Sequence, residues 1–362
     1  MDQGSTPFFN RLDEYRNTPK PPSDWRIPEP DENGVTPASP AELEQNGLEM
    51  RSAYSRVGLG LFLYVLIPQL LAVGFSFIGS LFFPALLEEA WFQLVISDTF
   101  MYLIGAPVCL LAMGMPKRKS TVTREKLPIG VFFVAICVFE AGSIGGGLLG
   151  NGLMGLFSLL TGHDYDSAVD TMINGLSLPL IFLFVVVIGP IMEEIIFRRA
   201  PLERLLPYGE FRAVLLTSIV FGLAHGNFFQ FFYCVAGGMV LGYLYARTRR
   251  IVYPAALHMI FNFMGGFLPV MIERAAGISD TAEITVENLL AIIPLLLYQL
   301  LMYGLALAGV ILFCLFFRSV KFRPAEIALP KEHMFKRTWL NGGMIALSVV
   351  LLILLLLSLI PM

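Results

Sequence analysis

Glu193, His225, His258 and Asn262 combine the side chains that peptide hydrolysis needs, and each lies in or beside a long apolar run. Glu193 and Glu194 follow the run from Leu178 to Ile191. Ionisable groups at such depth are expensive in hydrocarbon, so each calls for a partner or a function. Glu194 precedes Arg198 by one helical turn, the favourable orientation for an intrahelical ion pair. Glu193 is rotated from it by about 100° and lacks that partner, although Arg199 or another helix could supply one. His225 closes Phe221-Gly222-Leu223-Ala224-His225, and His258 opens His258-Met259-Ile260-Phe261-Asn262. His258 and Asn262 share a helix face and can aim at one point. The other two histidines, His163 and His333, fall in polar loops and read as solvated surface residues.

A carboxylate and an imidazole can hold and deprotonate a water that attacks a carbonyl. A second imidazole and an amide can donate hydrogen bonds to the developing oxyanion. No Ser or Cys stands in a nucleophile motif beside them, so an acyl-enzyme is not suggested. The alternative chemistry is a metal site, since Glu193, His225 and His258 also form a zinc ligand set. The HExxH helix of most zinc proteases is absent, and the expectation is a site without a cofactor.

The elements that must position these residues are membrane spans. The chain has 362 residues, is 56% hydrophobic and only 15% charged, against about 25% charge in soluble domains. Its apolar residues come in blocks near the ~20 residues that cross a bilayer. The reading is an all-α, polytopic transmembrane helix bundle with nine spans, at 57–80, 91–113, 128–149, 178–200, 212–229, 230–247, 251–272, 291–317 and 340–360. The weakest boundary is between the fifth and sixth, where only Gly226-Asn227 interrupts the apolarity. With the N-terminus in the cytoplasm, 24 of the 25 Lys and Arg fall in cytoplasmic segments, Arg274 being the exception. That is the positive-inside signature. At ~1.5 Å rise per residue, Glu193 and His258 lie roughly 12 Å from the inner edge, Asn262 about 18 Å and His225 about 20 Å. The four can therefore meet near the midplane.

The rest of the chain divides simply. Residues 1–55 are polar and Pro-rich, without the apolar core of a signal peptide, and read as a disordered cytoplasmic tail. Residues 56–362 form the transmembrane domain. Gly142, Gly146 and Gly150 share one face of the third span and suit close helix contact. Glu140, another acid within that span, finds no partner by spacing and reads as a hydrogen-bonded structural group. Cys109, Cys137, Cys234 and Cys314 lie in apolar runs without a CxxC pair, which argues against a disulfide framework. No basic tract suited to nucleic acid is present.

Glu193-Glu194…Arg198, Phe221…His225 and His258…Asn262 follow the pattern EExxxR, FxxxH, HxxxN. In that order they resemble the CAAX protease and bacteriocin-processing (Abi) family of intramembrane glutamate endopeptidases. The resemblance covers about residues 178–272. It implies that Glu193 and His225 activate water, that His258 and Asn262 form the oxyanion site, and that Glu194, Arg198 and Phe221 support them. It further implies a peptide or membrane-protein substrate, membrane lipid as surroundings, a bacterial plasma-membrane location, and a sensor kinase or bacteriocin peptide as partner. A reading from another class is a non-catalytic membrane partner, such as an immunity protein or a sensor-kinase regulator. A transporter is disfavoured because the nine spans show no clear inverted repeat.

Overall fold

The computed structural model describes residues 38–165, 167–277 and 286–360. Within them lie nine long helical segments and no strand. They are α1 (Pro40–Phe82), α2 (Ala90–Met113), α3 (Ile129–Thr161), α4 (Leu178–Tyr208), α5 (Glu210–Ala224), α6 (Phe228–Thr248), α7 (Val252–Ala276), α8 (Val286–Phe316) and α9 (Gly342–Leu357). Each corresponds to one expected span. Seven are long and apolar enough to cross a membrane, while α5 and α9 have only 15 and 16 residues. Glycine decides the length of α5: Gly209 and Gly226, both at positive φ, bracket it.

The largest departure from the sequence reading is at the N-terminal end. Helix α1 begins at Pro40, inside the stretch read as a disordered tail. A local signal explains the start: Ser39 accepts a hydrogen bond from the Glu42 amide at 3.2 Å, and Pro40 takes the first helical position. Tertiary contacts hold the polar turns beyond it. Met50 and Tyr54 are fully buried, Asn46 donates to the Ala328 carbonyl, and Arg118 pairs with Glu49 at 2.8 Å. Residues 1–37 of the expected tail lie outside the described residues.

The basic segments between spans gather at one end of the bundle. Arg337 pairs with Glu44 at 2.7 Å, Glu326 accepts from Ser120 and Thr121, and Arg204 donates to the Gly114 carbonyl. Glu210 is buried and binds Arg247, Arg323 and the Arg323 amide. Arg274, the basic residue outside this group, lies near the other end. There it donates to the carbonyls of Ile173, Asn174 and Leu176, at the end of the short helix Ala168–Asn174. Helix C-termini leave such carbonyls open, and cations suit them.

Helix α6 lies between α3 and α5. A Cβ on Gly146 would meet the Tyr233 backbone nitrogen at 2.4 Å, and one on Gly150 would meet the Phe228 carbonyl at 2.6 Å. The glycine face of α3 is therefore a close helix contact, as expected. The main core joins α1, α2, α4, α5, α6 and α9 through residues such as Tyr54, Leu61, Leu202, Leu216, Tyr245 and Leu351. Large apolar side chains on the outside, among them Leu70, Phe77, Leu111, Leu159 and Leu300, are exposed. They supply the surface that lipid would cover.

Candidate active site

Among the described residues, four π-helical stretches interrupt the spans. Three of them adjoin candidate residues: Ile181–Ile188 before the glutamates, Ile195–Arg199 after them, and Phe263–Phe267 after Asn262. A π-turn rotates the residues beyond it and frees backbone carbonyls, and it recurs at functional sites. Glu193 and Glu194 occupy the short α-helical stretch Gly189–Glu194 between two such segments.

Glu194 is completely buried, with Oε1 lying 3.5 Å from Nη1 of the equally buried Arg198. That is the intrahelical pair expected from spacing. The same oxygen also accepts a hydrogen bond from His258 Nδ1 at 3.0 Å, a contact from another helix that spacing could not show. Glu194 Oε2 and all three guanidinium nitrogens of Arg198 are buried without a hydrogen-bond partner. Arg198 is stabilised instead by the charge of Glu194 and by the face of Phe221, 3.9 Å from its Cζ to the ring centroid. Phe221 meets both imidazoles edge-on, with centroids at 4.8 Å to His225 and 5.8 Å to His258. Phe221 thus forms the floor on which the polar groups sit.

Both histidines have one ring nitrogen engaged. His225 Nδ1 lies 2.8 Å from the Phe221 carbonyl, which can only accept, so Nδ1 carries the proton. His258 Nδ1 donates to Glu194 in the same way. Each ring therefore presents Nε2. His258 Nε2 stands 3.7 Å from Glu193 Oε2, and Glu193 is 24% exposed against 0% for Glu194. The distance is longer than a direct hydrogen bond.

His225 caps the C-terminus of α5 at the break that sequence located only loosely. Gly226 turns the chain at φ 64°. Asn227 caps α6 by accepting from the Gln230 amide at 2.9 Å and returns its own amide to the His225 carbonyl at 2.8 Å. The expected convergence of Asn262 with His258 is only partial. One N–H of Asn262 donates to the Val185 carbonyl, 2.8 Å away in the first π-stretch of α4, rather than to any other candidate residue. The second N–H of that amide is left for another acceptor.

These motifs have recognisable relatives. The family described as type II CAAX prenyl endopeptidase Rce1-like matches residues 175–264, which span all four candidate residues. The matched stretch of this chain is similar to CAAX-type membrane proteases. YdiL of Bacillus subtilis, provisionally named a membrane peptidase, is 29% identical over 157 residues, covering 43% of this chain and 64% of YdiL. The membrane-embedded CAAX protease MroQ of Staphylococcus aureus is 31% identical over 93 residues, 24% of this chain and 37% of MroQ. CAAX prenyl protease 2 of Arabidopsis thaliana is 29% identical over 119 residues, 26% of this chain and 37% of that protein. The chain thus spans between 37% and 64% of the length of these relatives. No solved structure matches it significantly.

The sequence reading passed over two residues that the fold brings to the site. Tyr64 of α1 packs edge-on against Phe197, one turn from Glu193, at 5.8 Å. Tyr102 Oη lies 3.7 Å from the Cβ position of Gly189, one turn before Glu193. Asp98 lies one turn before Tyr102 on the same helix. The available signal was an acid inside the second apolar run, four residues from a tyrosine. As for metal, no group of three His, Cys, Asp or Glu among the described residues converges closely enough to ligate an ion. The imidazole pair nonetheless has its Nδ1 atoms tied to oxygen and its Nε2 atoms presented, a pattern that zinc ligands also show.

Proposed function

We propose that this chain is an intramembrane endopeptidase that hydrolyses a peptide bond in a membrane-associated protein or peptide, with water as the nucleophile and without a metal ion. The observation that carries the reading is the position of His258 between two unequal carboxylates, Nδ1 bonded to the buried Glu194 and Nε2 3.7 Å from the partly exposed Glu193. In this reading Glu193 takes a proton from a water that also donates to Nε2 of His225. The hydroxide adds to the scissile carbonyl, giving a tetrahedral oxyanion. His258, held by Glu194, and the second N–H of Asn262 face that oxyanion and stabilise it. Glu193 then returns its proton to the amine as the C–N bond breaks. Glu194 and Arg198 touch no substrate and act by holding His258 and its helix.

The bacterial relatives support a plasma-membrane location, and the gathering of basic segments at one end supports a cytoplasmic N-terminus. The names of MroQ and CAAX prenyl protease 2 support a protease acting at a membrane. A sensor kinase or a bacteriocin peptide remains the partner class that the family resemblance suggests.

The test is cleavage of a membrane-anchored reporter by the full chain in nanodiscs. Glu193→Ala should abolish cleavage while the protein remains in the membrane at wild-type level, and a chelator should leave the wild type active. Full cleavage by Glu193→Ala would overturn the catalytic reading and favour a non-catalytic regulatory partner. One equivalent of zinc in the purified protein, with activity lost on chelation, would overturn the metal-independent part.

A further inference from the structure

The break between α5 and α6 leaves His225 as the capping residue of its helix. A carbonyl at that end has no helical amide to answer it. The amide of His225 reaches the Gly222 carbonyl at 3.4 Å, a long bond, and Gly226 then turns the chain away. The Asn227 side chain takes the place of the missing amide, donating from Nδ2 to the His225 carbonyl at 2.8 Å. The imidazole is tied to the Phe221 carbonyl through Nδ1, so the direction of Nε2 follows the backbone at residue 225.

The Asn227 amide is itself held at both ends. Its oxygen accepts from the Gln230 backbone N–H at 2.9 Å, and its nitrogen donates to Gln230 Oε1 at 2.8 Å. Gln230 Nε2 donates in turn to the Tyr233 hydroxyl at 2.8 Å. The three residues are spaced by three, so they share one face of the first turns of α6. Each is partly buried, and polar groups at this depth are costly unless answered; here each answers the next. Tyr233 carries the relay to another helix, where its ring meets Phe261 of α7 with centroids 6.1 Å apart. Phe261 also packs on Phe139 of α3 at 4.6 Å, and it immediately precedes Asn262. One end of the relay is thus bonded to His225, and the other packs beside Asn262.

We propose that Gln230 and Tyr233 are positioning residues for peptide hydrolysis. Acting through Asn227, they fix the backbone of His225, and with it the aim of Nε2, against the helix that carries Asn262. The relay therefore sets the group that activates water in register with the group that meets the oxyanion. In this role neither Gln230 nor Tyr233 touches the reacting atoms. The assignment rests on the endopeptidase reading of the same site, and the experiment separates the two.

The test uses the full chain in nanodiscs and reads cleavage of a membrane-anchored reporter, Tm, and ring-nitrogen NMR of histidine-labelled protein, with His225→Gln assigning the His225 signals. Gln230→Met keeps the length of the side chain and removes its polar end. It should lower kcat about tenfold and leave KM within about twofold, since a misaimed group slows chemistry more than binding. Its Tm should stay within a few degrees of the wild type. Tyr233→Phe should act alike, and the double substitution should cost no more than either alone, because both break one network. Gln230→Glu still accepts from Asn227 and offers Tyr233 an acceptor, so it should recover most of the rate. Asn227→Asp keeps the oxygen that caps α6 but loses the N–H to His225, so kcat should fall while Tm holds. In each slow variant the His225 ring nitrogens, one protonated and one bare in the wild type, should move toward averaged shifts. Wild-type kcat in Gln230→Met and Asn227→Asp, or unchanged His225 shifts, overturns the relay and leaves the endopeptidase standing. Rate losses that simply add, or that follow a loss of Tm, overturn it as well. Averaged shifts in the variants of a protein whose wild type cleaves nothing keep the relay and sink the endopeptidase.

Discussion

Replacing Glu194 by Ala removes the charge that answers Arg198 and the acceptor of His258 Nδ1 in a single step. Both members of the ion pair are fully buried, and no hydrogen bond to Arg198 compensates elsewhere. Breaking a buried pair by deleting one partner costs roughly 3–5 kcal/mol, because the remaining charge stays in a low dielectric. The Phe221 ring retains part of that, on the order of 1 kcal/mol. A net loss of about 3 kcal/mol should lower Tm by roughly 6–12 °C. The assay is thermal unfolding in detergent, followed by fluorescence-detected size exclusion. Glu193→Ala is the comparison: Glu193 is 24% exposed and has its nearest partner at 3.7 Å, so its removal should cost less than about 1 kcal/mol while abolishing cleavage. The double substitution Glu194→Leu with Arg198→Met should recover most of the stability, since a well-packed apolar pair can replace a buried ionic one. It should not recover cleavage, because His258 Nδ1 then has no acceptor. Equal Tm losses for Glu193→Ala and Glu194→Ala, or a Glu194→Ala protein melting with the wild type, would refute the division between a chemical and a supporting acid.

The packing sets three further outcomes. Gly146→Ala should destabilise by about 1–3 kcal/mol, because its Cβ would meet the Tyr233 backbone at 2.4 Å. Gly145→Ala, one residue away with nothing within 4 Å, should be neutral or stabilise by about 0.5–1 kcal/mol, and the two melting curves decide this. Asn227→Ala should cost about 1 kcal/mol through the lost cap of α6, and should slow cleavage by releasing the His225 carbonyl, whereas Asn227→Asp should keep the cap. Glu210→Ala should lower Tm by several degrees, because it leaves Arg323 and Arg247 without their shared carboxylate where three segments meet; salt-dependent melting would check it.

The all-helical membrane class and the order of the apolar helices were legible in the sequence, because a bilayer demands continuous apolar runs and the chain punctuates them with glycine, proline and charge; among the described residues seven of the nine expected spans are long enough to cross. So were the candidate motifs: buried ionisable groups are conspicuous in such runs, and i,i+4 spacing already joined Glu194 to Arg198. The Ser39-Pro40 start of α1 was legible as a capping signal, but the polar composition of the next turns concealed it. Contacts from 282 or more residues away, such as Asn46 with Ala328 and Glu44 with Arg337, accompany that extension into a helix. Spacing within one helix could not show that Glu194 also holds His258, that Asn262 gives an N–H to a carbonyl of a π-stretch, or that Tyr102 of α2 meets α4 at Gly189, one turn before Glu193. Each of these depends on how far one helix is rotated and raised against another. Local sequence sets which face of a helix is polar, but the packing of glycines, π-turns and aromatic rings between helices decides what that face meets.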